Sequence, residues 1–300
     1  MKHEVADSGI TLALGGIGIR GALNIGLLQA IAEAKIPIKK VVATGISTMI
    51  GAHFALGRDP GELLPRITQF LEENRRSMWE IEQLGGLTAG EKRMAARSMS
   101  YFLRESLFCR ANLTRMGVFS WELVEANLSQ AFGASTLSDL KIPFAVSVVD
   151  IARGEETLLS EGSIVDLVRA GIAFPGLFPP VEIRGHRYVS SATYCGLPLF
   201  SLNDADRPIL AVLYPERREA RRPRSMIEVL ARVDEIRGNV LTQQILSKAD
   251  RVIRLRAPGG SNWSSFRRLE RAIPLVRQAC MEEISGWNAD GLTRWPLQSS

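Results

Sequence analysis

Gly45-Ile46-Ser47-Thr48-Met49 sets a serine directly after an apolar run, Val41 to Ile46, and at the mouth of a helical stretch. A serine on a strand-to-helix turn is a candidate nucleophile, provided that a neighbouring base can take its proton. A plainer reading competes: serine often caps helices, and here it would cap one beginning at Thr48. A second turn, Gly15-Gly16-Ile17-Gly18-Ile19-Arg20-Gly21, follows the apolar run Ile10 to Leu14. Its last six residues satisfy GxGxxG, the pattern of a dinucleotide site that holds a pyrophosphate on a helix N-terminus. That reading needs an acid near the end of the second strand to bind the ribose. The strand ends Thr44-Gly45-Ile46-Ser47, with no carboxylate, which counts against it.

The elements that must hold these turns follow from apolar spacing. Ala22 to Ala34 carries Leu23, Leu27 and Ile31 at helical intervals and ends near Pro37, so the chain opens as strand, glycine turn, helix, strand, serine turn, helix. Asp59-Pro60-Gly61-Glu62 starts a helix that continues toward Leu84. A basic helical stretch follows from about Gly90 to Cys109, and Ser120 begins another that ends before Gly133. Phe144 to Val149 reads as a strand buried on both faces. Ser163-Ile164-Val165-Asp166 opens a short helix, and Val181 to Val189 is a hairpin turning at Gly185-His186. Later strands fall at Ile209 to Leu213 and Arg251 to Leu255, with helices over Ser225 to Lys248 and Phe266 to Ile284.

Both turns, with Leu140-Lys141-Ile142-Pro143, the segment Ala173 to Pro180 and Tyr188-Val189, resemble the patatin-like phospholipase family in its compact bacterial form. The resemblance runs from about Ile10 to the helical stretch before Gly286. It implies an α/β fold, a three-layer α/β/α arrangement around a mainly parallel central sheet. Residues 8–200 would form the patatin-like domain, 201–286 would complete the same fold, and 287–300 would be a loosely held tail. It also implies cleavage of lipid esters by a Ser–Asp dyad, with Ser47 at the nucleophile position. The loop Gly16, Ile17, Gly18, Arg20 and Gly21 would offer N–H groups to the oxyanion, with Arg20 holding the loop.

Three positions depart from that pattern. The family's aspartate follows its hairpin, and by register this chain has Ser190-Ser191-Ala192 there, before the Leu197-Pro198 that the family shares. A serine hydroxyl is no general base near neutral pH, and losing the base removes ~10²–10⁴ in rate. Met49 stands where the second glycine of GxSxG belongs, and Gly51-Ala52 then arrives early. Ile17 stands where glycine is common, and isoleucine resists φ > 0. No other group is a clear substitute base. Asp150 is expected to bond the Arg153-Gly154 turn, His53 lies nearly two helical turns beyond Ser47, His186 sits at a hairpin tip and His3 near the start. The expected protein therefore keeps the fold but not the chemistry, and acts as a lipid-related binding or scaffold protein. The alternative is a weakly active acyl hydrolase using Ser47.

Composition bounds the partners. No uncharged apolar stretch reaches the length of a membrane span, and residues 1–8 lack the layout of a secretion signal, so a cytoplasmic protein is expected, either free or peripheral at the membrane. The three cysteines, Cys109, Cys195 and Cys280, are far apart and suggest buried thiols. Neither a metal nor a cofactor is expected. The net charge of +5 gathers partly in Arg217, Arg218, Arg221, Arg222 and Arg224. That run is either a solvated loop or a contact with a lipid or anionic membrane surface, worth on the order of 1 kcal/mol per basic residue. It lacks interleaved aromatic residues, so nucleic acid is not expected. A homo-oligomer or a protein partner is the remaining expectation.

Overall fold

The computed structural model describes residues 9–16, 19–74, 116–117, 119–214, 223, 226–255 and 269–286. The expectations for Ile17 and Gly18, for the stretch Gly90 to Cys109, for Arg217, Arg218, Arg221, Arg222 and Arg224 and for the tail 287–300 lie outside these residues.

Apolar runs become buried strands. β1 (Ile10–Leu14) is buried at all its positions, and β2 (Ile38–Ala43) is buried over Val41 to Ala43. Each fully buried leucine or isoleucine here, such as Leu12 and Leu14, contributes roughly 1.5–3 kcal/mol. Between the strands come α1 (Ile19–Ala22) and α2 (Asn24–Glu33); after β2 comes α3 (Ser47–Ala55). The Asp59 carboxylate accepts from Gly61 N–H and opens a 3₁₀ turn, Pro60–Leu63, leading into α4 (Leu64–Glu73). Asn74 is the C-cap of that helix, and the expected continuation toward Leu84 falls within residues 75–115, which lie outside the described residues. α5 (Glu122–Phe132) and β3 (Phe144–Asp150) follow, then β4 (Glu155–Leu159) and α6 (Ile164–Ile172), which Ser163 caps. The hairpin of β5 (Val181–Ile183) and β6 (His186–Ser190) turns at Arg184-Gly185, both with φ > 0. His186 is therefore the first residue of β6, paired with Ile183, rather than part of the tip. β7 (Ile209–Leu213), α7 (Met226–Ile245), β8 (Arg251–Arg254) and α8 (Leu269–Ser285) complete the described chain.

The strands form one sheet in the order β5-β6-β3-β2-β1-β7-β8, with β4 also on β3. Five neighbours, β3, β2, β1, β7 and β8, run parallel; β4, β5 and β6 add the antiparallel pairs. The expected mixed fold with a mainly parallel sheet is what the chain adopts. One face of the sheet packs against α2, α3, α5, α6 and α8. The other is covered by Cys195 to Leu202, by Ile245 at the end of α7 and by Leu246 directly after it.

Register decides where the two turns meet. Leu14 pairs with Ala43 and with Val212, so β1, β2 and β7 end at one level. β2 pairs with β3 only as far as Val146, and β6 pairs with β3 from Val148 onward. Because β4 occupies the opposite edge of β3, β6 takes over the edge that β2 leaves. Ser190, the last residue of β6, is thereby delivered to the point where β2 turns away at Thr44.

Candidate functional site

The turn after β1 and the turn after β2 lie against each other. Gly16 has φ +125 and Gly45 has φ +65, conformations open to glycine at little cost. A Cβ on Gly45 would lie 3.0 Å from the Gly16 carbonyl oxygen, and one on Gly21 3.2 Å from the Ser47 nitrogen. Arg20 belongs to α1, directly after the undescribed part of the loop.

Ser47 is the first residue of α3 and its side chain caps nothing; Ile46 occupies the cap position. Instead the Ser47 hydroxyl donates to the Gly15 carbonyl at 2.8 Å and accepts from Asn24 Nδ2 at 2.8 Å. Asn24 Nδ2 also donates to the Gly15 carbonyl at 2.9 Å, and Asn24 Oδ1 accepts from the Tyr214 hydroxyl at 2.9 Å. Ser47 and Asn24 are 0% exposed. Burial pushes the Tyr214 phenol well above its usual range, so it remains a donor. Four groups from the ends of β1, α2, α3 and β7 thus satisfy one another. The network holds no carboxylate or imidazole among the described residues.

Ser190 belongs to a second network. Its hydroxyl lies 3.3 Å from Thr44 Oγ1 and accepts from Ala192 N–H at 3.3 Å. The Ser191 hydroxyl donates toward Thr44 Oγ1 at 2.9 Å and approaches Ser147 Oγ at 2.7 Å. Ser147 in turn donates to Glu156 Oε1 at 2.7 Å. Hydroxyls thus connect Ser190 to a carboxyl on β4. Burial pushes Glu156 up to about 7, against the opposing pull of the Ser147 hydrogen bond and Lys248.

The other candidate bases go elsewhere. Asp150 accepts from the N–H groups of Ala152 and Arg153, at 3.0 and 3.2 Å, which holds the turn before Gly154 as expected. It also bonds His186 Nδ1 at 2.8 Å, a pairing across β3 and β6 that the sequence did not suggest. Burial opposes the charge on Asp150, but His186 and those N–H groups hold its carboxyl below the usual range. His53 is buried, and that burial lowers its proton affinity although Glu62 lies 3.2 Å away. Among the described residues, no three His, Cys, Asp or Glu side chains converge as metal ligands. Cys195 and Cys280 are buried thiols; Cys109 lies outside the described residues.

Asn24, Tyr214 and Glu156 were not singled out in the sequence. Asn24 left a trace there, as a lone polar residue between Leu23 and Ile25 in an otherwise apolar stretch. Glu156 left none, because Glu155-Glu156 looks like any exposed acidic pair.

Comparison with known proteins now bears on this geometry. A family model described as patatin-like phospholipase matches residues 12–202, more than half of the chain. This chain belongs to the patatin-like phospholipase family. Neuropathy target esterase sws of Drosophila grimshawi is 29% identical to it over 181 residues, 60% of this chain and 10% of that protein. Patatin-like phospholipase domain-containing protein 7 of Rattus norvegicus is 26% identical over 181 residues, 60% of this chain and 11% of that protein. Lysophospholipase NTE1 of Phaeosphaeria nodorum is 25% identical over 185 residues, 62% of this chain and 10% of that protein. The chain spans about a tenth of the length of these curated relatives. Among solved structures, VipD from Legionella pneumophila aligns with a TM-score of 0.50 at 16% identity, over 93% of this chain and 67% of that one. That likeness is one of fold alone. For this patatin-like chain, no helix among the described residues is long and apolar enough to cross a membrane.

The Ser47 network makes a stability prediction. Ser47→Ala removes two hydrogen bonds but leaves Asn24 its Gly15 partner, so a loss of about 1–2 kcal/mol is expected. Urea unfolding of the two proteins measures it.

Proposed function

We infer that this protein is a catalytically degenerate member of its family, which keeps the patatin-like fold as a lipid-related binding or scaffold protein. One observation carries the reading. The Ser47 hydroxyl proton is directed at the Gly15 carbonyl, its lone pair accepts from Asn24, and no base among the described residues takes part. A nucleophile needs a base within about 3 Å, and positioning without one forfeits ~10²–10⁴ in rate. Ser190, where the family's aspartate belongs, has a hydroxyl that pairs with Thr44 instead. The relatives' names, which include an esterase and a lysophospholipase, supply the class of ligand: a lipid bearing an acyl ester. In this reading the domain runs over residues 8–200, and 201–286 complete it.

Incubation with a short-chain nitrophenyl ester and with a fluorophosphonate probe tests this. The purified protein is expected to hydrolyse at background rate and to remain unlabelled, and Ser47→Ala to match it in both assays. Ser190→Asp alone is expected to restore nothing, because base, turn and oxyanion donors act as a unit and their effects are not additive. Ester turnover by the unmodified protein that Ser47→Ala abolishes would overturn the reading in favour of a serine acyl hydrolase.

A further inference from the structure

Helix α7 turns its apolar side away from the protein. Met226 is 76% exposed, Leu230 63%, Val233 60% and Val240 51%, with Val229 and Ile236 at 48% each. At ~100° per residue these six side chains fall within an arc of about 120°. The opposite side meets the body of the protein. There Thr242 and Ile245 are buried, and a Cβ on Gly238 would lie 3.7 Å from the Thr193 carbonyl oxygen. A surface helix normally shows the reverse, apolar inward and polar outward. The exposed stripe extends about 21 Å along the helix, and a contiguous apolar patch of that kind marks an interaction surface.

Charge selects the occupant. Arg232 borders the stripe and Arg237 lies within its arc, paired with the exposed Asp234. Met226, Val229, Val233, Ile236 and Val240 follow a and d spacing, which makes Arg232 a g and Arg237 the following e residue. Parallel pairing of two copies would therefore set Arg232 against Arg237 of the other copy. The sequence entering the helix adds Arg217, Arg218, Arg221, Arg222 and Arg224. Two copies would repel, whereas an anionic lipid surface attracts every one of these groups.

We propose that the exposed stripe of α7 is a membrane-docking face that seats at the acyl boundary of an anionic bilayer, with Arg232 and Arg237 among the headgroups. Long arginine stems can lie along apolar surface while the guanidinium stays at headgroup level. The inference extends the lipid-related reading above, but it does not depend on whether Ser47 is active.

Sedimentation of the full chain with phosphatidylcholine vesicles, with and without phosphatidylserine, tests it. Binding to the anionic vesicles is expected to be at least about tenfold tighter and to weaken as salt rises. The triple variant Leu230→Gln, Val233→Gln, Val240→Gln is expected to lose at least about tenfold of that binding while melting at an unchanged temperature, since these side chains face solvent. The pair Arg232→Gln, Arg237→Gln is expected to narrow the preference for anionic vesicles. Equal binding to both vesicles, or a triple variant that binds like the parent, would overturn the proposal. So would a dimer that the triple variant dissolves, which makes a second copy the occupant. A lowered melting temperature in the triple variant would mean that the protein's own chain covers the stripe, and would overturn it too. Ester turnover is a separate readout, so failure here and failure of the degenerate reading are told apart.

Discussion

Gly15→Ala is expected to destabilise the protein by about 3 kcal/mol or more, an unusually large effect for adding one methyl group. Gly15 has no positive φ, so its backbone would accept alanine, and the restricted unfolded chain would by itself favour the variant by ~0.4–1 kcal/mol. Contact reverses the sign. A Cβ at this position would lie 1.9 Å from the Gly196 carbonyl oxygen and 3.0 Å from Leu197. Backbone rather than a flexible side chain stands in the way, and it is pinned: Gly196 N–H donates to Thr242 Oγ1 at 3.1 Å, and Leu197 is buried. The strand end would have to separate from the Cys195–Leu202 cover, and the Gly15 carbonyl that orients Ser47 and Asn24 would move with it. Denaturant unfolding of Gly15→Ala measures the loss. A variant as stable as the parent would mean that the first glycine serves only the loop, and not the packing of this cover.

Glu156 should make the protein less stable as the solution becomes more basic. Its carboxyl accepts one hydrogen bond from Ser147 at Oε1, while Oε2 is buried without a partner. Burial raises the folded-state value from 4.5 to about 7, although the Ser147 bond and Lys248 oppose it. Between those values the folded protein holds a proton that the unfolded chain has released. The stabilisation is therefore complete below 4.5, is lost as pH rises toward about 7, and does not change further above that. The shift corresponds to as much as about 3 kcal/mol. Asp150, whose carboxyl is held low, contributes the opposite slope at more acid pH, so the difference between parent and Glu156→Gln isolates the effect. Unfolding midpoints measured across this range should converge at low pH and favour Glu156→Gln at high pH. Parallel profiles for the two proteins would show that Glu156 is not the group responsible.

Much of this protein was legible from local signals. Ile10 to Leu14, Phe144 to Val149 and Ile209 to Leu213 are nearly continuous apolar runs, broken only by Thr11 and Ser147, as strands of a buried parallel sheet typically are. Asp59 and Ser163 announce their helices because a cap is made within three residues of the chain. The glycine and serine turns could be placed in the same way, since Gly16 and Gly45 take conformations that the sequence already reserves for glycine. Where the local code is weaker the reading slipped. The hairpin turns one residue earlier than expected, and Ser47 begins α3 without capping it.

What sequence alone determined, then, is the order of elements and the turns between them, because propensity, capping and apolar periodicity act over a few residues. The fate of each polar side chain was decided by the tertiary structure. Asn24 meets Ser47 from 23 residues away and Tyr214 from 190, while Ser190 reaches Thr44 across 146. A buried hydroxyl proton goes to an acceptor that the fold brings within about 3 Å, because a buried polar group left unpaired is costly. Only once β6 has replaced β2 on the edge of β3, and β1 and β7 have ended level, does the proton of Ser47 have Gly15 as its acceptor and not a base.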